Sequence, residues 1–366
     1  MSALLPTPGS ISGQDCRALV EEAVFTACRL ELMALKPGNV HIHAEGHGMS
    51  VTQFLDSAAA IAPILATPGL RVGEAILHAV TATREVAGCN TNLGIVLLLA
   101  PLAAAALCRN KGEPLRMRLA GVLDGLSVAD AADAFAAIRL ALPAGLGEAA
   151  QHDVAEAPRV DLRAAMAVAA DRDLIARQYA TAFAEIFTFG VARGRSALRR
   201  GASAAEAASA IHLGFMALHP DTHIARKHGA AVAERVQGQA FRLERRLAVN
   251  SAFGGHSGHQ AGAARRLLAF DRALKRRGLN PGTSADLTVA CLFVLRLAGE
   301  LPAGPWPPDD NRRSLIKPTT VGDAQCLRST RLWSAKLWWA TATRSLTSIS
   351  SSVRAAVPPR PPSARP

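Results

Sequence analysis

A chain of 366 residues with 49% hydrophobic content can bury a sizeable core, as one large domain or two smaller ones. Its net charge of +12 would ordinarily suggest nucleic acid or an anionic membrane, but ten basic residues and one acid, Asp323, lie from Asn311 onward, a net +9 that leaves +3 for residues 1–310. The longest apolar run, Leu93 to Leu107, contains Pro101 and is shorter than the ~18 residues of a membrane span, so neither nucleic acid nor membrane is implied for the folded part.

In chain order, helical periodicity dominates, and no stretch shows the sustained alternation of a half-buried strand. Ser12 with Asp15 reads as a cap before Leu19, Val20, Ala23, Val24, Ala27 and Leu30, which predicts a helix over Gly13–Leu35 that stops at Pro37-Gly38. Ser50 and Gln53 form the next capping box, ahead of a run ended by Pro68-Gly69. Val72–Ala87 follows, closed by Gly88, and Leu93–Leu107 reads as a buried core helix. Ser127/Asp130 and Ser203/Glu206 repeat the start signal. The pattern predicts an all-α protein, a compact multi-helix bundle of roughly ten to twelve helices with an internal polar site.

Residues 1–305 are read as one domain and residues 306–366 as a tail different in kind. All four tryptophans, Trp306, Trp333, Trp338 and Trp339, lie there, with Ser/Thr clusters and a proline-rich end. Such a composition suits a disordered or frame-shifted terminus better than a nucleic-acid-binding arm. Six scattered cysteines without a CxxC pair, and an N-terminus lacking a charged-then-apolar leader, predict a reducing cytoplasm.

Chemistry concentrates in polar, glycine-punctuated junctions between these helices. Lys36-Pro37-Gly38-Asn39 ends the first one; Lys36 can serve as the cation of a helix C-terminus or hold a phosphate that Gly38 lets approach the backbone. His41, His43 and His47 follow in a polar loop. In Asn90-Thr91-Asn92-Leu93-Gly94, Thr91 or Asn92 would cap the core helix, yet three polar residues in a row exceed what capping needs and suggest ligand contact. Glu148, after Gly145 and Gly147, is a carboxylate that could be aimed inward or solvated. His219-Pro220-Asp221-Thr222-His223 starts a helix with Asp221 in its first turn and Arg226 and Lys227 beside it. His219, His223 and His228 do not fit the spacing of a metalloprotease site. Asn280-Pro281-Gly282-Thr283-Ser284-Ala285-Asp286 opens another helix, with Thr283 or Ser284 as cap and Asp286 in the first turn. Several such N-termini could converge on one polyanion and its magnesium.

In this order and at these spacings the segments resemble the triphosphoribosyl-dephospho-CoA synthase family. Lys36-Pro37-Gly38 is similar to its KPG segment, Asn90-Thr91 to its NT segment, Gly145 to Glu148 to its G-x-G-E segment, Asp221-Thr222 to its D-T-N segment and Pro281 to Asp286 to its PGGSAD segment. The chain departs where the family reads N-T-H-K-G and it has Asn92 and Leu93, at His223 in place of asparagine, and at Gly48 where an aspartate is expected, which suggests a divergent branch.

The resemblance implies an all-α enzyme that moves the 5-triphosphoribosyl group of ATP to a hydroxyl of dephospho-CoA and releases adenine, with Mg2+ accompanying ATP; a homo-oligomer is compatible with it. On motif position, Asp221 or Glu148 would be base or charge stabiliser, and Asp221 with Asp286 would bind magnesium. Lys36, Gly38, Asn90, Thr91, Asn92, Arg226, Lys227 and Ser284 would contact substrate or phosphate. Two other readings remain open: a related ribosyl transferase with another donor or acceptor in methanopterin-type one-carbon cofactor biosynthesis, and a non-catalytic nucleotide-binding protein.

Overall fold

Two helices buried along most of their length organise the molecule. In the computed structural model, which describes residues 13–108, 112–142, 153–249, 253 and 257–302, α4 (Leu93–Leu107) and α14 (Gly282–Leu297) are buried along almost their whole length. A helix so enclosed lies at no surface, so these two form the centre and the amphipathic helices cover them. Around them lie α1 (Gly13–Met33), α2 (Val51–Leu65), α3 (Val72–Ala87), α5 (Leu115–Asp124), α6 (Val128–Ala141), α7 (Leu162–Ala169) and α8 (Leu174–Ala180). A π-helical turn, Ile186–Gly190, leads into α9 (Val191–Arg199) and α10 (Ala204–Leu218). α11 (Thr222–His228), α12 (Ala230–Val249) and α13 (Ser257–Lys275) complete the set.

Fourteen α-helices among the described residues exceed the ten to twelve expected. The excess consists of short ones: α7, α8 and α11 span two turns or so, too few to show a periodicity, and each is started by one aspartate, Asp161, Asp173 and Asp221. No sheet occurs among the described residues; His41–Ala44 and Gly46–Met49 are isolated bridges that fold the loop after α1. α1 ends at Met33, two residues before the expected Leu35, as the chain turns to bring Lys36 inward.

One core cluster joins α1 to α4, α6 and α14 through residues such as Val24, Ile61, Ile76, Leu98, Ala134 and Leu292. A second lies under α10 to α13, around Met216, Ile224, Val236 and Leu274. The frequent alanines let neighbouring axes approach closely, so residues from nine of the described helices line one internal space. Glu148 and residues 303–366 lie outside the described residues.

Candidate active site

The first turn of α14 is the hub on which the polar junctions meet. Asp221, at the N-cap of α11, accepts from the amides of His223 (3.0 Å) and Ile224 (3.2 Å) with one oxygen, and from the amide and hydroxyl of Ser284 (both 2.8 Å) with the other. One buried carboxylate thus caps two helices. Thr222 and Thr283 join their hydroxyls at 3.0 Å beside it. From the loop after α1, Asn39 donates to the Asn280 side chain at 2.9 Å. His223 lies against Gly282, its Nδ1 only 2.9 Å from where a β-carbon would stand. At the start of α4, Asp286 occupies the space that a side chain on Gly94 would need, so the glycine of that junction is required by the aspartate of another.

α14 therefore begins differently from the expectation. It starts at Gly282 with Pro281 in the cap position, and Thr283 and Ser284 turn their hydroxyls to α11 instead of capping their own helix; Asp286 lies beyond the first turn. At α4 the side chain that accepts from a helix amide is Asn90, bonded to Leu93 at 3.0 Å, whereas Asn92 stands at the cap position without a capping bond. Thr83 donates to the side-chain Oδ1 of Asn92 at 3.0 Å, and Thr91 shares a hydroxyl contact of 2.7 Å with Ser57.

These junctions open on a cavity of about 780 Å³. Asn90, Thr91, Asn92, Arg226, Lys227 and Asp286 line it, together with Glu31, Asn39, His223 and Asn280. Lys36, Gly38, Asp221 and Ser284 are not among its lining residues. Lys36 is fully buried; its ammonium meets Glu31 and donates to Asn39 at 2.8 Å, so it acts on the cavity through those two side chains rather than by touching a phosphate. Gly38 gives its amide to Asp271 at 2.9 Å and its carbonyl to His47 at 2.7 Å. Asp221, expected as base or charge stabiliser and magnesium ligand, accepts from protein donors with both its oxygens and is not among the residues that line the cavity.

Charge at the polar end is strongly perturbed. Burial, then the nearby Glu31 and Asp221 carboxyls, hold Asp286 well above the usual carboxylate range. Burial also raises Glu31, against the pull of Lys36, and lowers Lys36, against the pull of Glu31. Burial and the adjacent Arg226 and Lys227 push His223 down to about 4. Four acidic residues line the cavity: Asp153, Asp173, which is paired with Arg226, Glu31, which is backed by a buried lysine, and Asp286, for which no hydrogen-bond donor is found among the described residues.

Glu31 was not anticipated. Its signal was present: it continues the buried stripe Val20, Val24 and Ala27 of α1, where an acid needs a buried partner. Asp173, which holds Arg226, was missed because its helix is too short to recognise.

A model of the ATP:dephospho-CoA triphosphoribosyl transferase family matches residues 17–303. A crystal structure from Archaeoglobus fulgidus, provisionally named a triphosphoribosyl-dephospho-CoA synthase, aligns with 67% of this chain and 98% of its own at 22% identity and a TM-score of 0.50, a likeness of fold. No curated protein gives a match.

Proposed function

The chain belongs to the ATP:dephospho-CoA triphosphoribosyl transferase family, and from that premise we propose how its cavity performs the transfer. The chain is a transferase that moves the triphosphoribosyl group of ATP to dephospho-CoA. The carbon–nitrogen bond between ribose and adenine breaks, the ribose carbon gains oxocarbenium character, and an acceptor hydroxyl attacks it as its proton leaves. An anion at the ribose and a nearby base are what this chemistry requires.

Asp286 supplies a carboxylate, fixed by its seat on Gly94 at the start of α4, whose ionised form a bound cation or the developing oxocarbenium charge would favour against the burial that raises it. Glu31 supplies the base: burial raises its proton affinity towards the working range while Lys36 keeps it oriented. Lys227 and Arg226, the latter held by Asp173, receive the triphosphate. The observation that carries this reading is the pairwise interlocking of four distant segments around the first turn of α14, opening on one cavity.

Magnesium fits this arrangement in a reduced form. No cluster of three or more ligating side chains exists among the described residues, and Asp221 has no oxygen to give, but Mg2+ commonly takes one or two carboxylates and completes its shell with phosphates and water. Asp286 would hold it with the triphosphate. Bound there, the ion would neutralise phosphate charge.

The test is release of adenine from ATP with Mg2+ and dephospho-CoA, followed by mass spectrometry. Asp286→Asn should lower that release on the order of a hundredfold. Its melting temperature should hold or rise, since the change removes a poorly compensated buried carboxyl. Wild-type chain that binds ATP and never releases adenine would refute the transfer.

A further inference from the structure

The cavity lining is not only polar. α6 and α7 contribute Phe135, Ile138, Leu142, Ala165, Met166 and Val168 to its lining, a continuous apolar wall. Two cations that do not come from α11 line the same cavity, Arg172 shortly after α7 and Arg84. Arg84 lies in the last turn of α3, lines the same cavity and has no carboxylate partner among the described residues. Its position follows from helix register: α3 and α6 start side by side, where the Gly73 amide donates to Asp130 at 2.8 Å, and they pack along their length, so Arg84 is level with Ala141 at the end of α6. The remaining cations of the lining, Arg226 and Lys227, come from α11.

Two polyanions must bind at once for the transfer to occur, and only one of them has a long body with apolar methyl groups beyond its diphosphate. We propose that Arg84 and the α6–α7 wall form the acceptor subsite, Arg84 on the diphosphate of dephospho-CoA and the wall against its pantetheine arm, while Arg226 and Lys227 serve ATP. This assignment rests on the transfer described above and names which part of the cavity discriminates the acceptor. A guanidinium suits the task because its planar fork meets two phosphate oxygens together. The competing explanation is that Arg84 only complements the C-terminal charge of α3, for which any cation suffices.

Initial rates of adenine release, with each substrate varied in turn, decide between them. Arg84→Gln should raise KM for dephospho-CoA about 10- to 100-fold, the worth of a lost charged hydrogen bond, and leave KM for ATP within about twofold. Lys227→Gln should show the reverse split. Arg84→Lys keeps the helix-end charge and loses the fork, so it too should raise KM for dephospho-CoA; wild-type values in that variant would assign Arg84 to the helix end and overturn the subsite. Arg84→Gln with both KM values unchanged, or raised together, would also overturn it while leaving the transfer intact. Wild-type chain that releases adenine with another acceptor and ignores dephospho-CoA would overturn the acceptor reading and this subsite with it.

Discussion

Asp221 is a motif residue whose partners are all within the protein. Its motif position suggests a base or charge stabiliser and a magnesium ligand, yet its carboxylate accepts four hydrogen bonds and closes the amide ends of α11 and α14 together. Asparagine would present an amide group to donors at one of those oxygens. Asp221→Asn should therefore cost about 1–3 kcal/mol of stability, seen as a lower denaturation midpoint, whereas a change at Asp286 acts on turnover. An Asp221→Asn variant with wild-type stability and much reduced turnover would return this residue to the reacting centre. Lys36 illustrates the same distinction, a cation whose partner is the Glu31 carboxylate inside the protein.

Among elements, start signals were the most legible feature. Ser50/Gln53, Ser127/Asp130 and Ser203/Glu206 each make both bonds of a capping box, because those bonds span three residues and need nothing from the rest of the chain. Helices started by a lone aspartate were not legible, since the same residue suits a turn. The α3–α6 pair depends on a contact without a sequence signal: a β-carbon on Gly73 would overlap the backbone of Asp130. Gly73→Ala should push the helices apart and cost about 1–3 kcal/mol, measured as a lower urea midpoint with an unchanged slope. Wild-type stability would show that the pair has slack that the packing does not suggest.

For the whole molecule, buried imidazoles couple stability to pH. His212, in the middle of α10, is fully buried, and desolvation followed by the Lys36 charge depresses it to about 3. An unfolded histidine titrates near 6.5. From there down to about 3 the unfolded chain binds a proton that the fold refuses, so this contribution to stability is complete above about pH 6.5 and is lost as pH falls through that window. The raised carboxyls Glu31, Asp221 and Asp286 act in the opposite sense, because the fold accepts their protons before the unfolded chain does. Comparison with His212→Gln isolates the histidine: between pH 7 and pH 5 wild type should lose more stability than the variant in parallel denaturation curves. Identical pH slopes would mean that the imidazole ionises in the folded protein.

The helical class, the starts of the helices with capping boxes and the burial of Leu93–Leu107 were all readable from sequence. These follow from interactions within a few residues or from the exclusion of apolar surface from water, both of which are written locally. Among the described residues, tertiary structure alone decided which polar side chains face the cavity and which support them. Asn90 and Asp286 reach the cavity whereas Lys36 and Asp221 stand behind it, and Glu31 enters from a helix stripe. That division depends on partners as far away as Asp221 from Ser284 and Asn39 from Asn280. Residue type states what a side chain can bond to; only packing determines whether protein or substrate supplies the partner.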